Sequence, residues 1–161
     1  MTLTAERLRE LLHYDPETGV FRRLADRGPN GPAGAIAGNT NAQGYVIISI
    51  DHRAYRAHRL AFLYMTGRWP GGHVDHRDGQ GDNNRWSNLR PASATESSRN
   101  RRGWGSSGLK GVWTEGDDRW RARIYVNSIA VHLGCFRTAE DASAAYAAAA
   151  SVFFGEFARG A

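Results

Sequence analysis

The stretch that decides the fold of this 161-residue chain spans residues 73–90 and reads HVDHRDGQGDNNRWSNLR. Aspartate, asparagine, arginine and histidine make up most of it, and such residues seldom build an apolar core. A loop of this composition is either solvated or engaged in chemistry. Asp75 and His76 are neighbours, so within a strand they would point to opposite faces. At a strand end that geometry relaxes, and both side chains can approach one site.

Short elements are predicted on both sides of this loop. Upstream, residues 4–13 fit an amphipathic helix, 15–19 a turn and 20–24 a strand, while 25–43 reads as a loop. Residues 44–57 then predict a hairpin, and 58–66 a helix that Gly67 ends. Residues 73–92 predict two strands around the polar loop. Ser93 and Glu96 form a capping box, so a helix is expected to follow.

The amino-acid composition of the chain changes after residue 102. Residues 103–108 are rich in glycine and serine and predict a linker. Three strands are expected near 110–114, 119–126 and 130–136, followed by a helix over 139–154 that Thr138 caps. Phe153 is expected on the buried face of that helix. We therefore expect an α+β protein of two domains, residues 1–102 and 109–161.

Composition narrows the class of protein. The net charge of +5 favours a polyanionic partner without proving one. The single cysteine, Cys135, excludes a disulfide within the chain, and its apolar surroundings predict a buried side chain. No apolar run approaches membrane-spanning length. A soluble protein that is not secreted is the expectation.

The polar loop resembles the core of phage and intron-encoded HNH homing endonucleases. The resemblance rests on VDHRDG at 74–79, NNRWSNLR at 83–90, and the lead-in segments AHRLAFLY at 57–64 and TGRWP at 66–70. It covers about residues 10–102. It implies a ββα-metal nuclease core, here with an N-terminal hairpin and helix, that holds one divalent cation, Mg²⁺ or Mn²⁺, per active site.

Roles follow by position from that resemblance. Asp75 would be a metal ligand, and His76 the general base that takes a proton from the attacking water. Asn88 would brace the loop and orient His76. The residue types suit the chemistry, because neutral histidine accepts protons near pH 7 and oxygen ligands suit a hard cation.

One position departs from the family pattern. The helix ligand falls at Ser97, where the family normally has asparagine. Three outcomes remain open: Ser97 binds the metal through a water, Asn100 one helical turn further on replaces it, or cleavage is weak or lost.

The strand at 119–126 alternates between two faces. Trp120, Ala122, Ile124 and Val126 would pack on the final helix, while arginines and Tyr125 occupy the open face. A solvated face that keeps the sheet soluble would carry the same charges. A sheet that enters the major groove of DNA, where arginine pairs with guanine, is the functional reading.

The wider pattern resembles the APETALA2 DNA-binding domain. It includes LKGVW at 109–113, WRARI at 120–124, LGCF at 133–136 and TAEDA at 138–142. That resemblance implies a three-stranded antiparallel sheet, packed on one helix, that binds double-stranded DNA. The DNA contacts expected here are Lys110, Trp113, Arg119, Arg121, Arg123 and Tyr125, with Arg101 and Arg102 on the backbone between the domains.

Taken together, the sequence predicts a metal-dependent DNA endonuclease whose C-terminal domain aids site choice. It would act as a monomer or homodimer on DNA, in the cytoplasm of a bacterial or phage-infected cell. The alternative is a non-catalytic, sequence-specific DNA-binding protein derived from an HNH nuclease, which Ser97 favours. An RNA-binding protein is a third class, less favoured because few exposed aromatics could stack single-stranded bases.

Overall fold

The protein folds as two compact units, Met1–Ser93 and Ala94–Ala161, which are described separately. The computed structural model describes residues 2–26, 31–100, 107–114, 116 and 119–158. The architecture is α+β, as predicted, with helices and several small antiparallel sheets.

Within the described ranges, no helix combines the length and apolar character needed to cross a bilayer. The domain limits at residues 102 and 109 stay a prediction.

The first unit contains the helices and strands predicted for it, with ends shifted by a few residues, and a further strand at Leu12–Asp15, where the end of the first helix was predicted. In chain order they are α1 (Ala5–Leu11), β1 (Leu12–Asp15), β2 (Val20–Arg23), β3 (Asn39–Thr40), β4 (Val46–Ile50), β5 (Arg53–Arg56), α2 (Ala57–Thr66), β6 (His73–His76), a 3₁₀ turn (Trp86–Asn88) and β7 (Leu89–Ala92). The short strand β3 lies in the predicted loop 25–43, of which residues 27–30 are outside the described residues.

The core of this unit lies where α1 and α2 pack against the small sheets. Thr4 starts α1 by accepting a hydrogen bond from the backbone N–H of Arg7 at 3.2 Å. The leucines on the inner faces of α1 and α2, including Leu8 and Leu60, are fully buried, and Phe21 joins them from β2. Burying such side chains contributes about 1.5–3 kcal/mol each. This core holds the strand pair that carries the polar loop.

Strands β6 and β7 form an antiparallel pair on either side of the polar loop. In their register Asp75 lies opposite Arg90, and His76 lies opposite Leu89. Val74 and Leu89 are buried in the core of the unit. The apolar side chains therefore anchor both strands, while Asp75 and His76 sit at the end of β6 where the loop begins.

The turn between β1 and β2 packs against the far end of this loop. The Tyr14 hydroxyl donates to the carbonyl oxygen of Asn84 at 2.7 Å, and the Trp86 N–H donates to the Pro16 carbonyl at 2.9 Å. Gly19 has φ +74°, and a Cβ placed there would lie 2.4 Å from both Asn84 C and Arg85 N. The close approach of the two backbones requires glycine at this position.

The second unit is a three-stranded antiparallel sheet with helices. Its elements are α3 (Ala94–Arg99), β8 (Val112–Thr114), β9 (Trp120–Val126), β10 (Ile129–Phe136), α4 (Ala139–Phe154) and a 3₁₀ turn (Gly155–Phe157), and the strand order is β10-β9-β8. Thr138 caps α4 as predicted, accepting from the Asp141 N–H at 3.0 Å. Within this unit the Arg99 guanidinium lies 4.5 Å from the centre of the Phe154 ring.

Two burial predictions in this unit were wrong. Cys135 is exposed, because β10 carries a bulge between His132 and Gly134. The extra residue reverses the alternation of side chains, so that Phe136 packs inward and Cys135 faces outward beside Arg121. Phe153 was expected on the buried face of α4, but its side chain is 47% exposed and Phe154 is buried instead.

The contact at Gly19 leads to a stability prediction. We expect Gly19→Ala to lower the free energy of unfolding by at least 2 kcal/mol more than Gly44→Ala, measured by urea denaturation. Gly44 is the matched control, since its φ is +81° but a Cβ there would meet nothing within 4 Å. Gly44→Ala should therefore cost only the backbone strain of about 1–2 kcal/mol. Equal losses in both variants would contradict the close approach.

Candidate active site and nucleic-acid interface

Asp75 lies in a buried ion pair with Arg90, its partner across the β6–β7 pair. Asp75 Oδ2 accepts from Arg90 Nε at 2.9 Å and from Arg90 Nη2 at 2.7 Å. Both side chains are more than nine-tenths buried. Charge-assisted contacts of this length are strong, and losing one partner of a buried pair costs about 3–5 kcal/mol. The carboxylate predicted to bind a metal is therefore fixed in place by a protein cation.

His76 is also buried, and its ring is held by an amide. Its Nε2 lies 3.2 Å from Asn84 Oδ1. The Asn84 amide is oriented by its own Nδ2, which donates to the Asp82 carbonyl at 3.0 Å and so turns Oδ1 toward the ring. In a neutral imidazole one nitrogen is a donor and the other an acceptor. Donation from Nε2 to Oδ1 assigns the basic lone pair to Nδ1.

Burial lowers the pKa of His76, since the charged imidazolium loses its hydration. The contact with Asn84 and the nearby carboxylates, Asp78 first, oppose that effect without cancelling it. The ring is consequently neutral at pH 7. A neutral histidine with an oriented acceptor nitrogen is the state that a general base requires.

Asn88 makes three hydrogen bonds within the polar loop. Its Oδ1 accepts from the Asp78 N–H at 3.1 Å. Its Nδ2 donates to Asp78 Oδ1 at 2.9 Å and to the Asn83 carbonyl at 2.8 Å. The two ends of the loop are thereby tied together. The side chain that contacts the His76 ring is Asn84, and the orienting role expected of Asn88 stays a prediction.

The predicted helix ligand lies on α3, in the second unit. Ser97 is half-buried there, and its carbonyl accepts from the Asn100 N–H at 3.3 Å. Asn100, the other ligand weighed from the sequence, is 4% exposed. In the described part of the chain, no cluster of three or more histidine, cysteine or acidic side chains could hold a metal ion. A metal role for Ser97 stays a prediction.

The open face of the C-terminal sheet carries a cluster of cationic and aromatic side chains. The Arg123 guanidinium lies 5.3 Å from the centre of the Trp113 ring and 5.9 Å from that of Tyr125. Arg123 Nη1 also donates to the Tyr125 hydroxyl at 3.1 Å. Such stacking limits the freedom of a long side chain before any ligand arrives. This group, with Arg121, is called the sheet-face cluster below.

An open groove of about 300 Å³ adjoins the sheet-face cluster, lined by Arg121, Arg123, Ala130 and His132. His132 lies opposite Arg123 in the β9–β10 register. His132 was not among the predicted DNA contacts. Side chains alternate between the two faces of β10 before its bulge, which places His132 on the same face as the arginines. That alternation could have identified His132 from the sequence.

The remaining predicted DNA contacts are placed differently. Arg119 is exposed just before β9. The Lys110 ammonium donates to the carbonyl of Arg99, within the same unit. Arg101 and Arg102 lie outside the described residues.

Two residues of the active region were missed at the level of sequence. Asn84 lies within the polar stretch but was given no role, and because asparagine is common in loops, composition gave no signal for its burial. His58, in the lead-in segment 57–64, was also given no role, yet it is only 3% exposed and its ring centre lies 4.9 Å from that of His76. Its position in the first turn of α2, beside buried Ala57 and Leu60, was a signal for burial.

Comparison with known proteins agrees with this geometry. The model of the HNH endonuclease family matches residues 55–99, from the end of β5 to the end of α3. The match contains Asp75, His76, Asn88 and Ser97, while the C-terminal sheet lies beyond it. None of the curated proteins compared with the chain matches it. Residues 55–99 are therefore an HNH endonuclease family domain.

Proposed function

We propose that the chain is a DNA endonuclease that hydrolyses phosphodiester bonds at His76 and uses its C-terminal sheet to hold the duplex. One observation supports this above the others. A neutral, buried histidine lies beside a fixed carboxylate at a strand end, with one ring nitrogen engaged by Asn84, inside the HNH endonuclease segment.

The proton transfer follows from the tautomer of His76. A water molecule attacks phosphorus, and its proton passes to Nδ1 of His76 as the new P–O bond forms. The bond to the leaving sugar oxygen breaks, and that oxygen takes up a proton from solvent. The Nε2 contact with Asn84 stabilises the positive charge that the ring gains. General-base assistance of this kind contributes about 10²–10⁴-fold in rate.

The oxygen atoms beside His76 decide how a divalent cation could be held there. Asp75 supplies one carboxylate, whose Oδ2 is already engaged by Arg90. Mg²⁺ usually keeps several waters and is held by one or two carboxylates together with substrate phosphates. Asp75 alone would therefore suit only a cation held largely by water and DNA, and a metal role for Ser97 stays a prediction. When bound, Mg²⁺ or Mn²⁺ would supply positive charge that stabilises the leaving oxygen.

The sheet-face cluster supports the choice of DNA as partner. Arginine held in a fixed orientation can pair with the edge of guanine or with phosphate oxygens, and an exposed strand ribbon can enter the major groove. Trp113 and Tyr125 are 37% and 54% exposed, so both rings remain accessible to a ligand. The net charge of +5 favours the same polyanion.

A second candidate is a DNA-binding protein without nuclease activity. The Asp75–Arg90 pair favours it, because a carboxylate neutralised by a guanidinium attracts a second cation less strongly. The serine at position 97 points the same way. Mobility shift of a duplex without cleavage, in either Mg²⁺ or Mn²⁺, would select this candidate, and Ser97→Asn would restore cleavage if only that ligand were lost.

Cleavage of plasmid DNA tests the nuclease proposal. We expect the chain to nick or linearise plasmid in Mg²⁺, and His76→Ala to reduce the rate by about 10²–10⁴-fold because the general base is removed. The readout is conversion of supercoiled plasmid on agarose gels. Equal cutting by both proteins would refute the role of His76.

The matched control is His73→Ala. His73 lies on the same strand, β6, but is exposed, so its removal should leave the rate within about twofold. Asp75→Asn is a less direct test, because it leaves the Arg90 guanidinium buried without its carboxylate and should cost about 3–5 kcal/mol of stability. Circular dichroism of each variant separates lost chemistry from lost folding.

The pH dependence of cleavage tests the contact between His76 and Asn84. Because burial lowers the pKa of His76, cleavage should persist below pH 6.5 and fall only when the ring takes up a proton. Asn84→Asp places a carboxylate beside the ring, which favours the imidazolium and raises its pKa. The acid side of the rate profile should therefore move to higher pH. An unshifted profile from a folded variant would exclude the contact as a determinant of basicity.

Binding of a labelled duplex tests the sheet-face cluster. We expect Arg123→Ala to weaken binding by about 1–3 kcal/mol, or roughly 5- to 150-fold, as measured by fluorescence anisotropy. Arg137→Ala removes the same charge from the exposed turn between β10 and α4 and serves as control. If the two variants weaken binding equally, only net charge matters and the cluster has no specific role.

A further inference from the structure

Three aromatic rings from separate elements meet at His76. Its ring centre lies 4.9 Å from that of His58, with the ring planes 88° apart. Tyr45, which precedes β4, lies 5.6 Å from His58 and 6.0 Å from His76. The cluster therefore joins the start of α2, the end of β6 and the segment before β4.

Tyr45 is itself confined on two sides. The Arg56 guanidinium lies 4.7 Å from the centre of its ring. On the loop side, a Cβ placed on Gly81 would lie 2.7 Å from Tyr45 Cδ1. The ring has little room to rotate, so it forms a stable backing for the two histidines.

His58 is a costly residue for a purely structural position. It is 3% exposed, and its Nδ1 is buried with no hydrogen-bond partner among the described residues. A buried polar atom without a partner costs about 1–3 kcal/mol. Burial, followed by electrostatic interactions with His76, Arg56 and Arg59, lowers the pKa of His58 to about 3, so the ring stays neutral. Its contribution must then come through the shape and placement of the ring.

We infer that His58 is a positioning residue, whose ring, backed by Tyr45, fixes the plane in which His76 presents its nitrogen atoms. Asn84 contacts the His76 ring at one atom, Nε2, and a hydrogen bond at one atom does not by itself define the plane of the ring. The edge-to-face contact with His58 restricts that plane. A displacement of about 1 Å in a reacting group can reduce a rate by roughly 10²-fold. The catalytic consequence rests on the proposed function of His76, whereas the orientation of its ring does not.

A pair of variants separates ring shape from other roles. His58→Phe keeps an aromatic edge against His76, and His58→Ala removes it. We expect His58→Ala to lower kcat for plasmid cleavage by about 10- to 100-fold with KM within twofold, and His58→Phe to recover most of kcat. Loss of kcat to the same extent in both folded variants, or in neither, would overturn the inference.

Nuclear magnetic resonance of the His76 ring gives a readout that needs no cleavage. In the wild type and His58→Phe, the ring ¹H–¹³C signals should be single and sharp. In His58→Ala they should broaden or double, because the ring samples more than one plane. Unchanged signals in His58→Ala would overturn the inference whether or not the protein cuts DNA. If His58→Ala does not fold, Tyr45→Leu at its half-buried position makes the same test from the other side of the cluster.

The two proposals fail in different ways. A wild-type chain that cuts no DNA would remove the nuclease proposal, while a His76 ring signal that changes in His58→Ala would still support the positioning role. A wild-type chain that cuts DNA, with His58→Ala equally active, would leave the nuclease proposal intact and remove the role of His58.

Discussion

The arrangement of the active region depends on one buried hydrogen bond, from the ring of His76 to the amide oxygen of Asn84. An amide oxygen accepts but cannot donate, so it selects a single tautomer of the neutral ring. Asn84 is itself 2% exposed and oriented by the Asp82 carbonyl. If this contact were lost, the buried ring would lose a hydrogen bond that compensates for missing water.

The residues that support Asn84 lie far from it in the sequence. The Tyr14 hydroxyl, 70 residues earlier, donates a hydrogen bond to the Asn84 carbonyl, and the turn that ends at Gly19 packs against the Asn84 backbone. Contacts of such sequence separation form only when the whole first unit is folded. Local sequence patterns contain no direct signal for them, which is why the polar loop was recognised from the sequence but its principal support was not.

Other parts of the fold were predictable because their causes are local. The cap at Thr138 fixed the start of α4, and alternation along 120–126 separated the buried side chains from the sheet-face cluster. The exposed Cys135 was not predictable in this way, since one added residue in β10 reverses the alternation and leaves little trace in composition. Asp75 and His76, which we propose as the reactive pair, were selected from the sequence motif, but their burial and the guanidinium beside Asp75 required coordinates.

The turn before Gly19 has a consequence for the length of chain that the polar loop needs. Tyr14, Gly19 and Tyr45 all precede residue 55, where the family match begins, yet each contacts Asn84 or the histidine pair. A fragment trimmed to the matched segment would keep every residue of the recognised motif. It would lose the residues that pack against that motif, Tyr14, Gly19 and Tyr45. In this chain the recognisable signature and the compact unit around it therefore have different limits, because the match begins inside the first unit and ends at residue 99, beyond Ser93.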